Sequence, residues 1–93
     1  MTDEEAARRG EEARQLLEHP LLAEAFQTIR NEVTEQWQSS PARDVEGREK
    51  LWLTLRLLNR LEGQLQSVVE TGKVARATLL QRAKQAATSM MSW

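Results

Sequence analysis

The side chains that could do chemistry are few. The chain has one histidine, His19, and no cysteine, which excludes disulfides, thiolate metal sites and a histidine-rich zinc site. No acid stands at a spacing that would orient His19 toward a nucleophile. The one Gly-Lys pair, Gly72-Lys73, lacks the upstream glycine and the preceding strand of a phosphate-binding loop. The sequence therefore predicts a protein that is not an enzyme and carries no cofactor.

Three glutamates at helical spacing, Glu46, Glu49 and Glu62, could in principle pair for acid–base catalysis. Each of them has a basic residue nearby, and Glu46 forms an i,i+4 pair with Lys50 in the favourable order. Such pairing is typical of a solvated helix face. We therefore interpret these carboxylates as surface residues.

Basic residues around the start of the longest predicted helix form a candidate anion-binding site. They are Arg43, Arg48 and Lys50, and the N-terminus of a helix itself favours anions. The alternative interpretation is ordinary salt bridging with Glu46 and Glu49. Both interpretations remain open at the level of sequence.

The two ends of the chain differ in charge. Residues 1–18 hold six acids and three arginines, whereas residues 73–93 hold four bases and no acid. Four phosphate contacts bind nucleic acid only weakly at physiological salt, so nucleic-acid binding is not favoured. Opposite charges suit contact between the ends of one chain, or between copies. Solvated faces that differ in charge are the simpler interpretation.

The composition predicts an all-α fold, since alanine, leucine, glutamate, arginine and glutamine dominate. A first helix is expected over 3–18, although Gly10 weakens it and residues 1–15 are expected to fray. Pro20 suits the first turn of a second helix, with His19 as an extended or capping residue before it.

The second helix is predicted over 21–38, and residues 39–44 connect it to a long helix over 44–71, with Asp44 as its cap. So short a connector favours an antiparallel helical hairpin with its core at 20–71. The apolar stripe of the long helix comprises Leu51, Leu55, Leu58, Leu61, Leu65, Val68 and Val69.

Gly72 is predicted to end the long helix as a left-handed cap, and a continuous helix is the alternative. Residues 73–93 then form a basic amphipathic tail helix. The predicted architecture is a single helical domain over 1–93, in which an antiparallel hairpin carries additional N- and C-terminal helices.

The long helix and the tail have more apolar residues than one hairpin needs. A domain of this size has a marginal core, and surplus apolar width on a helix indicates a second packing partner. The sequence therefore predicts a homo-oligomer. The candidate protein-interface residues are Trp52, Leu53, Leu57, Met90, Met91 and Trp93.

No apolar run approaches the roughly 20 residues of a membrane span. The first twelve residues, MTDEEAARRGEE, are charged and hydrophilic, unlike a secretory signal. We therefore expect a cytoplasmic protein with no membrane partner.

Three segments carry a family resemblance: LLEHPLLAEAF, EQWQSSPARDVEGREKLWLTLRLLNRLEGQL and SVVETGKVA. They resemble a family of short proteins from tailed-bacteriophage genomes that has no assigned activity. The resemblance implies a phage or prophage origin, a place in the host cytoplasm or the virion, and a phage structural protein or a host protein as partner. It brings no catalytic residues.

The SPARD turn leading into REKLWL also resembles helical-hairpin phage proteins that oligomerise and sequester cyclic nucleotides of host immunity. Three functions follow as expectations. The first is an accessory protein that self-associates and binds protein, as a virion or assembly component. The alternatives are an anti-defence protein that sequesters an anionic cyclic nucleotide, and a small DNA-packaging or DNA-binding factor.

Overall fold

The computed structural model describes residues 1–91, and this part of the chain folds into three helices with no strand. The helices are α1 (Asp3–Glu18), α2 (Pro20–Ser39) and α3 (Val45–Met91). The predicted all-α class is confirmed. Within residues 1–91, no helix combines the length and the apolar character that a membrane span requires.

The start of α1 and the join between α1 and α2 are fixed by local capping. Thr2 Oγ1 accepts a hydrogen bond from the Glu5 amide at 3.2 Å. His19 has an extended backbone, its Nδ1 accepts from the Leu21 amide at 3.2 Å, and Pro20 opens α2, as predicted. The helix α1 begins at Asp3, and the fraying of residues 1–15 stays a prediction.

Asp44 caps the start of α3, because its Oδ1 accepts a hydrogen bond from the Gly47 amide at 3.0 Å. We expect Asp44→Ala to lower the free energy of unfolding by about 1 kcal/mol, as loss of an N-cap does. Asp44→Asn is the matched control and should keep most of this stability, since asparagine also caps well. Urea denaturation of the three proteins measures both effects. Equal losses in the two variants would contradict a capping role.

The predicted end of the long helix at Gly72 is wrong. α3 runs without interruption from Val45 to Met91, so the tail is the last part of α3 and not a separate helix. The physical reason is the position of Gly10, whose backbone lies against Gly72. A Cβ placed on Gly72 would lie 2.6 Å from the Gly10 Cα. The glycine is needed for this close approach and not for a left-handed cap.

The chain divides into two compact units. One unit combines residues 1–15 with the part of α3 that begins at Leu65, and the other comprises Leu16–Gln64. The helix α3 contributes to both. The single domain over 1–93 stays a prediction.

In the unit of residues 16–64, α2 packs on the first part of α3. Arg30 contacts Asn59 and Glu62, while Ser40 at the end of α2 contacts Arg48 near the start of α3. Later residues of α2 thus contact earlier residues of α3. The buried side chains of this unit are Phe26, Val33 and Leu58.

The stripe of α3 that meets α2 differs from the predicted one at a single position. Leu61 is exposed, and Glu62 takes the inward place beyond Leu58. The residues of α3 that face α2 are thus spaced by four and three residues in turn, and Leu61 is not one of them. The carboxylate of Glu62 is tolerated there because it pairs with Arg30.

In the other unit, small residues bring α1 close to α3. Ala6, Gly10 and Ala13 are buried on α1, as are Val69, Gly72 and Ala75 on α3. Asp3 forms an ion pair with Arg82 at 3.3 Å, so one acid of the head meets one base of the tail within this chain. Residues 81–91 are all exposed, including the predicted interface residues Met90 and Met91. Trp93 lies outside the described residues.

Candidate protein-interaction site

The fold leaves an unusually large surface exposed. The chain exposes 7491 Å², whereas a folded monomer of 10.7 kDa exposes about 5500 Å². No side chain within residues 1–91 is completely buried, and many large apolar side chains are exposed. The excess of about 2000 Å² is larger than the roughly 800 Å² that each partner contributes to a typical protein–protein interface.

One row of exposed leucines follows α3 at steps of four residues. Leu53, Leu57 and Leu61 are exposed to 49%, 67% and 54%. Each step of four keeps the side chains on one side of a helix. These leucines lie on a different side of α3 from the buried Leu58.

The same flank of this unit includes apolar residues of α2. A position is inward when its side chain faces the other helix. When two right-handed helices run antiparallel, the residue immediately before each inward position lies on the same side of the helix pair in both helices. We call that side a flank. Leu57 and Leu61 precede the inward Leu58 and Glu62, while Ala25 and Ile29 precede Phe26 and Arg30. We define the leucine face as Ala25, Ile29, Leu53, Leu57 and Leu61, all of which are exposed.

The opposite flank carries a second apolar feature, which we name the tryptophan cleft. One cavity of ≈ 190 Å³ is lined by Val33, Thr34, Trp37, Leu51, Trp52 and Leu55. A neighbouring cavity of ≈ 360 Å³ is lined by Trp37, Ala42, Val45, Arg48, Glu49 and Trp52. The two indoles belong to both cavities and are themselves exposed, Trp37 to 38% and Trp52 to 49%.

Arg48 holds the end of α2 to the start of α3. Its Nη1 donates to the carbonyl oxygens of Trp37 and Ser40, both at 3.3 Å, and to Ser40 Oγ at 2.9 Å. Its guanidinium also stacks on the Trp37 ring, 3.8 Å from the centroid. Arg56 lies 5.2 Å from the centroid of the Trp52 ring, so each tryptophan has an arginine beside it.

The three residues of the predicted anion-binding site do not share one place. Arg48 faces the end of α2, and Lys50 forms an ion pair with Glu46 at 3.8 Å. Residues two apart on a helix do not face each other, which separates Arg48 from Lys50. Arg43 is exposed on the connector.

The predicted interface residues of α3 also divide between two surfaces. Leu53 and Leu57 belong to the leucine face, whereas Trp52 belongs to the tryptophan cleft. The predicted apolar stripe includes Leu61, which is exposed in the structure. A sequence signal for this existed, since 51, 55, 58, 62 and 65 follow the alternation of four and three more regularly than a stripe through 61.

The unit containing α1 has a small groove of ≈ 130 Å³ beside Gly10 and Gly72, lined in part by Glu11, Arg14 and Arg76. Arg14 Nε donates to Glu11 at 2.9 Å. This hydrogen bond, with the positive charges of Arg14 and Arg76, lowers the pKa of the Glu11 carboxyl. Within residues 1–91, no cluster of three or more histidine, cysteine, aspartate or glutamate side chains is placed to hold a metal ion.

Comparison of the chain with protein-family models, curated proteins and solved structures finds no match.

Proposed function

We propose that this chain is a non-enzymatic helical protein of phage or prophage origin that acts by self-association and by binding another protein. The observation that supports it is the leucine face, an apolar surface contributed by both helices of one unit. A position in the host cytoplasm or the virion, as an accessory or assembly component, belongs to the same proposal and rests on the sequence resemblance.

We further propose that the hairpin of α2 and α3 is the element that associates. Two leucine faces packed against each other about a two-fold axis would form a four-helix arrangement, in which short apolar side chains interdigitate. A two-fold interface uses the same patch on both copies. The leucine face is suited to this because its central residues are apolar and its charged neighbours, Glu32 and Lys50, differ in sign.

Cysteine cross-linking tests this arrangement, because the chain has no cysteine of its own. Single variants Leu53→Cys, Leu57→Cys and Leu61→Cys are oxidised gently and run on non-reducing gels. Near a two-fold axis a residue lies beside its own counterpart, so we expect at least one of the three to give a covalent dimer in high yield.

Asn59→Cys and Gly63→Cys are the matched controls, because these exposed residues follow the inward Leu58 and Glu62 and so lie on the opposite flank of the same helix. Both should remain monomeric on the gel. Native mass spectrometry of the unmodified protein gives the subunit number independently. A monomeric mass would refute self-association, whereas an oligomeric mass with cross-links only at the control positions would refute the leucine face alone.

The two alternative functions receive less support from the side-chain contacts. The cations of the nucleotide hypothesis do not converge, since Arg48 faces the end of α2 and Lys50 pairs with Glu46. In the basic tail, Lys73 pairs with Glu70 and Arg82 pairs with Asp3. We therefore propose protein binding ahead of nucleotide sequestration or DNA packaging.

A further inference from the structure

The tryptophan cleft presents an arginine whose position is fixed by the protein itself. Nη1 of Arg48 is held by the oxygens of Trp37 and Ser40, and the guanidinium carbon lies over the Trp37 ring, 3.8 Å from its centroid. Arginine side chains normally lose much conformational freedom when they bind a partner. Here that loss has already occurred on folding.

The other two nitrogens of this guanidinium are not used by the contacts of the described chain. Within residues 1–91, Nε and Nη2 of Arg48 make no hydrogen bond, and Arg48 forms no ion pair with a carboxylate. These two groups form the edge of a guanidinium that binds both oxygens of a carboxylate side by side. The contacts of Arg48 therefore leave one carboxylate-binding edge free.

The surroundings of Arg48 are mostly apolar. Arg56 stands beside Trp52 without an ion pair in the described part of the chain, and Glu49 is the one acid among the side chains that line the two cavities there. Tryptophan and arginine are both enriched among the residues that carry most of the binding energy in protein interfaces. The cleft thus combines an apolar recess with the unused donors of Arg48, and a second cation, Arg56, lies beside Trp52.

We propose that the tryptophan cleft binds a segment of a partner protein that places a bulky apolar side chain between Trp37 and Trp52 and a carboxylate against the open edge of Arg48. This inference rests on the proposed protein-binding role and is independent of the leucine face. It identifies the partner by its chemistry, an acidic segment with an exposed apolar anchor.

Selection from a library of random short peptides displayed on yeast, with the full-length protein as bait, tests the proposal. The selected peptides should contain an aspartate or glutamate at a constant spacing from a leucine, methionine or aromatic residue. A synthetic copy of the best peptide is then titrated against the protein by calorimetry. Trp52→Ala should weaken its binding about 30-fold, the effect of removing a central interface residue.

Arg48→Lys should weaken binding of the same peptide about 10-fold, because lysine keeps the charge and lacks the two parallel donors. Arg60→Lys is the matched control on an exposed part of α3 and should bind as the unmodified protein does. Circular dichroism of every variant verifies the helix content.

Selected peptides without an acid, or equal affinities of Arg48→Lys and Arg60→Lys, would overturn the proposal. So would peptides that bind Trp52→Ala undiminished. If Trp52→Ala lowers the subunit mass and no peptide is selected, the cleft is filled by a second copy and the proposal is also overturned. None of these outcomes depends on cross-linking at the leucine face.

Discussion

Gly72→Leu will release α1 from α3, whereas Gly63→Leu, the same change in the same helix, will stabilise the protein. A Cβ on Gly72 would lie 2.6 Å from the Gly10 Cα and 3.0 Å from the Ala6 carbonyl oxygen. Both are backbone atoms of α1, so no side-chain rotation can relieve the contact. Beyond its chain neighbours and the backbone of its own helix, nothing lies within 4 Å of the Cβ position of Gly63.

The expected magnitudes have opposite signs. Overpacking at Gly72 should lower the free energy of unfolding by about 3 kcal/mol, near the upper end of the usual range. Leucine at Gly63 replaces the weakest ordinary helix former and should raise it by about 0.5–1 kcal/mol. Urea denaturation gives both numbers, and hydrogen exchange of the amides in α1 shows whether this helix is the part that opens. Similar shifts in the two variants would contradict the close approach of Gly10 and Gly72.

The second large effect is expected at the centre of the leucine face. Leu57→Glu should weaken self-association at least about 100-fold, since a carboxylate buried without a partner costs about 3–5 kcal/mol. The helix content should stay unchanged, because Leu57 is 67% exposed in the single chain. Sedimentation equilibrium measures the association, and circular dichroism measures the helix content.

Trp52→Glu is the control for this experiment. It places the same acid on the same helix, at a side chain that is also about half exposed, but on the opposite flank. We expect its subunit mass to equal that of the unmodified protein. If both variants dissociate, the two flanks act as one interface. If Leu57→Glu loses its helix content, Leu57 belongs to the core of a single chain.

Local signals were sufficient for most helix boundaries. Each residue that caps or begins a helix lies within three positions of the backbone group it contacts, and it occupies the place that its chemistry predicts. These residues are Thr2, His19, Pro20 and Asp44. The break at Gly72 was wrong because a glycine suits both a helix end and a close approach of two backbones. Only the second glycine, far away along the chain at Gly10, distinguishes these roles.

The candidate surfaces show the same limit. The surplus of apolar residues on the long helix was visible in the sequence, but its division into two flanks was not. That division depends on which residue faces α2 at each turn, and the pairing of Glu62 with Arg30 shifts the inward stripe away from Leu61. The stacking of Arg48 on Trp37 likewise joins residues from two helices.

The order in which the contacts arise along the chain has a consequence for synthesis on the ribosome. Contacts between α2 and α3 join residues 8 to 32 positions apart, whereas the Asp3–Arg82 pair joins residues 79 positions apart (82 − 3). The entropic cost of closing the longest of these loops exceeds that of the longest α2–α3 loop by only about 0.8 kcal/mol. The order of synthesis therefore distinguishes the two kinds of contact more than their stability does. α1 leaves the ribosome before α2, yet the part of α3 on which it packs is translated after α2. Because α1 has many charged and small side chains, it can stay exposed to water until the end of α3 leaves the ribosome.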